Sequence, residues 1–259
     1  MKRPIGIFDS GVGGTSIWKE IVQLLPMEDT LYLADSKNAP YGTKSKKEIL
    51  QLSIKNTEIL LEKGAKIIVV ACNTATTNAI DELRKNYPVS FIGIEPAIKP
   101  AALQTSTKKV GVLATKGTLS SSLFHHTSKI HAAGIQVFEQ DGKGLVQLVE
   151  AGKSQSKEAE TLLEKYVTPM LEEGIDCMVL GCTHYPYLVP TLRKIIPQNI
   201  PIIDSGFAVA KQTKAVLKSN GILNDGIGSA RHLFFTNGDA RILKSFVSGG
   251  QKKVSYLKF

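Results

Sequence analysis

Short apolar runs and longer amphipathic stretches alternate along this chain. The runs lie at 5–9, 31–34, 67–71, 91–94, 110–114, 135–139, 176–181 and 202–204. They have strand length, are rich in Ile, Val, Leu and Phe, and give way to small or polar turn residues. Most gaps carry helical spacing, at 15–25, 46–63, 76–86, 119–133, 157–173 and 189–196. Two further strand-like runs, 233–236 and 254–257, lie near the C-terminus. Repeated strand–helix–strand order predicts an α/β fold on parallel sheets covered on both faces. No low-complexity segment or flexible linker interrupts the pattern.

The pattern repeats at long period. Gly6-Ile7-Phe8-Asp9-Ser10-Gly11 can be laid on Gly111-Val112-Leu113-Ala114-Thr115-Lys116 at an offset of 105. Cys72 falls on Cys182 at an offset of 110, and Ile92-Gly93-Ile94-Glu95 on Ile202-Ile203-Asp204-Ser205 at the same offset. Generic strand–turn patterns can align by chance once; three in register favour two similar α/β domains. A cleft between them, with strand ends facing, would bring the two cysteines together.

Length and composition narrow the class. A chain of 259 residues with 42% hydrophobic content can bury a sizeable core. No apolar run approaches bilayer-spanning length. Met1-Lys2-Arg3-Pro4 is basic, but a strand-like segment follows, not a secretory core. A cytoplasmic location is expected. Three cysteines argue for reduced thiols and against a disulfide framework. The formal charge of +9 fits nucleic acid, an anionic substrate or merely a soluble surface. The lysines are spread along helical segments, with no arginine-rich arm or zinc-finger spacing. Nucleic-acid binding is therefore not expected as the main role.

The chemistry centres on two similar segments, Val69-Val70-Ala71-Cys72-Asn73-Thr74 and Val179-Leu180-Gly181-Cys182-Thr183-His184. Each puts a cysteine at the carboxyl end of a strand, the edge where open α/β sheets bind ligands. A thiol at a helix N-terminus is expected to have a lowered pKa. The bland alternative is a small buried apolar residue, and Cys177, inside a strand, is assigned that role. A metal held by Cys72, Cys182 and His184 is a further alternative, but no compact cysteine pair or His-x-x-x-His supports one. His184 is placed to exchange protons with Cys182. His125, His126, His131 and His232 read as surface or structural.

Other candidates are weaker alone. Asp9-Ser10-Gly11-Val12-Gly13-Gly14 would expose backbone N–H groups to an anion, yet it is neither Gly-x-Gly-x-x-Gly nor a phosphate loop. Asp9 either faces the cleft or caps a helix. Asn38-Ala39-Pro40-Tyr41-Gly42 is a ligand-binding turn or a plain loop. Thr115 and Thr118 could bind carboxylates or cap a helix. Glu150, after the apolar stretch 145–149, reads as a solvated charge. No Gly-x-Ser-x-Gly elbow is present, which disfavours a serine hydrolase.

Asp9-Ser10-Gly11-Val12-Gly13-Gly14, Asn38-Ala39-Pro40-Tyr41-Gly42, Ala71-Cys72-Asn73-Thr74-Ala75 and Gly181-Cys182-Thr183-His184-Tyr185-Pro186, in this order, resemble glutamate racemase. The resemblance covers essentially the whole chain. The cysteine elements mark the wider cofactor-independent aspartate/glutamate racemase superfamily; the Asp-Ser-Gly and Pro-Tyr-Gly elements narrow it. It implies two α/β domains, 1–96 plus 207–259 and 97–206, with the active site between them. It implies interconversion of L- and D-glutamate without pyridoxal phosphate or metal, supplying D-glutamate for peptidoglycan. By this resemblance Cys72 deprotonates D-glutamate and Cys182 deprotonates L-glutamate, with Asp9 assisting Cys72 and His184 assisting Cys182. Glu150 joins the catalytic set, although it lies outside a tight motif. Ser10, Pro40, Tyr41, Gly42, Asn73, Thr74, Thr115, Thr118 and Thr183, with Asp9 and His184, would bind glutamate. The family also implies a homodimer. Asp9 lies close to Met1, so the regulatory N-terminal extension of some members, and activation through it by a cell-wall precursor nucleotide, are not expected. The rivals are an aspartate racemase and a glutamate-binding protein without Cα exchange.

Overall fold

The computed structural model describes residues 3–226, 228–247 and 252–259. The chain opens with β1 (Ile5–Asp9), α1 (Thr15–Leu24), β2 (Thr30–Ala34), α2 (Lys46–Glu62), β3 (Ile67–Val70), α3 (Asn73–Asn86), β4 (Phe91–Gly93) and α4 (Ile98–Gln104). It continues with β5 (Lys109–Ala114), α5 (Lys116–Leu119), α6 (Ser122–His131), β6 (Gln136–Asp141), α7 (Leu145–Glu150), α8 (Lys157–Glu172), β7 (Cys177–Gly181), α9 (Val189–Leu192) and β8 (Ile202–Ile203). It ends with α10 (Gly206–Ser219), β9 (His232–Thr236), α11 (Ala240–Phe246) and β10 (Lys252–Tyr256).

These strands form two all-parallel sheets. The first has the order β10-β9-β2-β1-β3-β4 and the second β6-β5-β7-β8. The second sheet's strands fall within 97–206, and those of the first lie on either side of that span. The repeat is more complete than the sequence suggests. β2-β1-β3-β4 and β6-β5-β7-β8 are the same arrangement, strand for strand, so β2 and β6 also correspond. β1, β2, β3 and β7 are buried at every position, as parallel strands covered by helices must be. One apolar core runs from Ile5, Trp18 and Tyr32 under the first sheet to Met178, Tyr185 and Leu188 under the second.

Several helices differ from the sequence expectation for local reasons. α3 starts at Asn73 rather than 76 because Cys72 itself caps it. The stretch 119–133 is broken because Ser121 accepts the Phe124 N–H and starts a new helix, α6. Of 189–196 only Val189–Leu192 is α-helical, after a 3-10 turn at Tyr185–Leu188. α4, α10 and α11 have no counterpart in the pattern. α10 packs on α1, but it buries only Gly206, Val209, Ala210, Thr213 and Leu217, a weak apolar stripe. Among the described residues no helix is long and apolar enough to cross a membrane.

The returning segment is fastened beneath the first sheet by charge. Lys66 Nζ lies 2.7 Å from Glu28 Oε2, with side chains only 7% and 1% exposed. Lys66 also donates to the Ile222 carbonyl, and Glu28 accepts the Asn224 N–H, both at 2.7 Å. Removing one partner strands the other charge in the interior. Lys66→Met should therefore lower the unfolding free energy by about 3–5 kcal/mol. Urea unfolding checks this; a loss below about 1 kcal/mol would match an exposed pair instead and contradict it.

Candidate active site

β3 and β7 occupy matching places, and each runs out into a cysteine just past its carboxyl end. Cys72 and Cys182 are 5% and 7% exposed. Both line one small cavity of about 10 Å³. Ser10, Pro40, Tyr41, Gly42, Asn73, Thr74, Thr115, Thr183 and His184 line it too. Val146 of α7 adds an apolar wall and is absent from the sequence-based set, although it sits in the apolar 145–149 run. Asp9, Thr118 and Glu150 are not in the lining; they stand behind it.

Cys72 caps α3: its sulfur accepts the Ala75 N–H at 3.5 Å and lies 3.7 Å from Ser10 Oγ. These contacts favour the thiolate, as expected for a helix N-terminus. They are outweighed. Burial, and then the charge of Asp9, push the Cys72 thiol well above the ordinary thiol range. The expected lowering is therefore corrected: the helix end acts, but desolvation wins. Cys177 is buried within β7, and burial raises its thiol to about 11. That is the inert setting.

On the other side, His184 Nδ1 lies 3.7 Å from Cys182 Sγ. Its Nε2 lies 2.6 Å from Glu150 Oε1 and 3.2 Å from the Gly13 nitrogen. Nε2 serves one of these at a time: protonated it donates to Glu150, unprotonated it accepts from Gly13. Burial opposes a charged ring, but hydrogen bonds with Cys182 and Glu150 reverse this and hold His184 well above the usual imidazole range. Glu150 is thus no solvated charge. Its Oε1 also accepts the Val12 N–H at 2.6 Å, across the gap between the two sheets.

This contact revises the reading of the glycine loop. Its N–H groups are already taken: Gly11 donates to Asp9 at 2.9 Å and Val12 to Glu150. The glycines make room for those groups. A Cβ on Gly11 would sit 1.8 Å from Glu150 Oε1, and one on Gly13 would sit 2.2 Å from His184 Nδ1. Nor does Asp9 cap α1, whose N-cap is Gly14. Asp9 is fully buried and accepts Thr183 Oγ1–H at 3.2 Å. Burial raises its pKa, against the lowering effect of His184.

The remaining groups form the walls. Asn73 has both amide atoms buried with no partner among the described residues. Thr74 of α3 and Thr115, the cap of α5, meet at 2.8 Å between their hydroxyls. Thr118 supports them at 3.4 and 3.1 Å. Tyr41 donates to Asp35 Oδ2 at 2.5 Å and accepts from Asn56 at 3.1 Å. Asn237, from the returning chain, donates to the other Asp35 oxygen at 2.5 Å. Asp35 and Asn237, missed in the sequence, therefore fix the Pro40–Gly42 turn. Among the described residues no group of three or more His, Cys, Asp or Glu is placed to hold a metal ion.

The arrangement can remove a proton at one side of a small, buried cavity and supply one at the other. Comparison with known proteins gives the family. A family model described as Asp/Glu/Hydantoin racemase matches residues 5–213. A glutamate racemase from Herpetosiphon aurantiacus is 46% identical over 237 residues, covering 92% of this chain and 93% of that protein. The structure of a Bacillus anthracis glutamate racemase superimposes with a TM-score of 0.87 at 30% identity, covering 99% of this chain and 98% of that one. That of the Escherichia coli glutamate racemase, in complex with L-glutamate and the activator UDP-MurNAc-ala, gives 0.86 at 32% identity and 98% coverage of both chains. Matched by family model and by relatives over most of its length, the chain belongs to the Asp/Glu/Hydantoin racemase family.

Proposed function

We propose that this protein interconverts L- and D-glutamate by a two-thiol mechanism and supplies D-glutamate for peptidoglycan from the cytoplasm. One observation carries the reading: a thiol from each sheet lines a single small cavity. Racemisation takes the α-proton from one face of a carbon and returns a proton to the other. In the L-to-D direction the Cys182 thiolate takes the proton, and an S–H bond forms as the Cα–H bond breaks. The electron pair left on Cα then takes the proton of the Cys72 thiol on the opposite face. The pair ends with Cys182 as thiol and Cys72 as thiolate, the state needed for D-glutamate.

The supporting groups suit these roles. Burial holds Cys72 as a proton donor, and Asp9 behind it has the raised proton affinity to exchange with it. His184 does the same for Cys182, steadied by Glu150. The unpartnered Asn73 amide offers a donor to a carboxylate and an acceptor to the ammonium. With Ser10, Thr74, Thr115, Thr183 and the Tyr41–Gly42 turn it forms a preorganised wall. The α-proton is weakly acidic, so fixed donors in a water-poor cavity must stabilise the developing charge.

Incubation with L-glutamate in heavy water should place deuterium at Cα and yield D-glutamate. Cys72→Ser and Cys182→Ser should each slow racemisation by about 10²–10⁴-fold, the range for loss of a general base. Full activity in both variants would sink the mechanism. A second test concerns the proton on His184. Its raised pKa keeps the imidazolium present as pH rises past the ordinary value of about 6.5. In Glu150→Gln a raising partner is gone, so His184 should lose its proton at lower pH. The kcat/KM limb that needs this proton should shift the same way. NMR titration of the imidazole checks this, and an unchanged titration contradicts it.

A further inference from the structure

A larger cavity, of about 610 Å³, adjoins the thiol cavity, and Pro40, Gly42, Thr115 and Val146 line both. The inner cavity, at about 10 Å³, is barely the size of one water. An amino acid reaches the thiols only if the wall between the two parts. That wall is a contact between the sheets built on small residues. A Cβ on Gly42 would lie 2.9 Å from Thr115 Cβ, and one on Gly117 would lie 3.2 Å from Gly42 Cα. The Tyr41–Thr43 turn is thus seated directly on α5.

The outer cavity has a marked charge. Lys44, Lys116 and Lys143 line it against a single acid, Asp141, which leaves +2. They come from both halves: Lys44 follows the Tyr41–Thr43 turn, Lys116 opens α5, and Lys143 lies in the β6–α7 turn. Among the described residues none of the three makes an ion pair. Asp141 is engaged by the Lys116 backbone N–H at 3.1 Å. Glu48, held by Ser45 in a capping box, feels the Lys44 charge but makes no ion pair with it among the described residues. Three unpaired ammonium groups around a concave mouth raise the local concentration of an anion.

We infer that this cavity is the vestibule of the racemase site, and that Lys44, Lys116 and Lys143 draw the glutamate dicarboxylate to a gate between Gly42 and Thr115. The inference rests on the function proposed above. The lysines lie outside the inner cavity, so they act on arrival and not on proton transfer. Their field is screened over about 8 Å at physiological salt and over about 30 Å at 0.01 M, so salt reads it out.

The test is a triple variant, Lys44→Gln, Lys116→Gln and Lys143→Gln, assayed for racemisation at about 0.01 M and about 1 M salt. The parent's kcat/KM should fall as salt rises. The variant's should be about tenfold lower at low salt and nearly independent of salt, with kcat kept. Equal kcat/KM and an equal salt slope would overturn the inference, as would a loss confined to kcat. Should the triple variant not fold, Lys116→Gln and Lys143→Gln alone, both at exposed positions, must each show part of the loss. A parent without racemase activity would instead overturn the proposed function.

Discussion

The Glu150 carboxylate is the point on which this site depends. Its Oε1 takes the Val12 N–H from the first sheet's loop and meets His184 Nε2 from the second, each at 2.6 Å. A partly buried carboxylate needs such partners to offset its lost hydration. In finding them it fixes the glycine loop and the histidine together, and the histidine in turn reaches Cys182. Thr183 donating to Asp9 and Ser16 donating to the Thr183 carbonyl reinforce the same junction. The cavity between the thiols is narrow because these contacts hold the sheet edges so close.

Burial then shapes the proton affinities. In water a thiol and a carboxylate at these positions would differ by several units of proton affinity. Here Asp9, behind the cavity, and Cys72, lining it, are driven upward by burial, and His184 is driven up by its neighbours despite burial. Protons are therefore retained by groups that would otherwise release them. A mechanism that passes a proton through the substrate needs acids of this kind, poised next to bases.

Much of this was legible in the chain. The paired cysteines, the parallel strands and three of the four strand correspondences follow from apolar runs that end in a turn. Those signals are local. Glu150 was not legible from its residues, because a charge at the end of a short apolar helix looks solvated until the loop around Val12 is folded against it. Gly11 and Gly13 announced a close approach but not its object; the structure supplies Glu150 and His184. Asp35 and Asn237 were hidden for a similar reason. Their bond joins positions 202 residues apart through a strand that returns to the first sheet.

Duplication brings the thiols face to face, but it does not make them equivalent. The four-strand order is shared, and each cysteine follows a matching strand. Beyond that point the two copies differ. Cys72 begins a 14-residue helix, and its sulfur meets a backbone N–H and a hydroxyl, with no base in contact. Cys182 opens a tight turn closed by the Tyr185 N–H on its carbonyl, ahead of the 3-10 turn at Tyr185–Leu188, and that turn lays His184 against the sulfur with Glu150 behind. One thiol is thus dominated by burial, and the other lies against a histidine that meets a carboxylate. The strands set where the sulfurs lie; the turns that follow set what each sulfur meets. The two thiols thus sit in unlike settings, burial beside the Asp9 charge on the first sheet and a histidine–glutamate pair on the second.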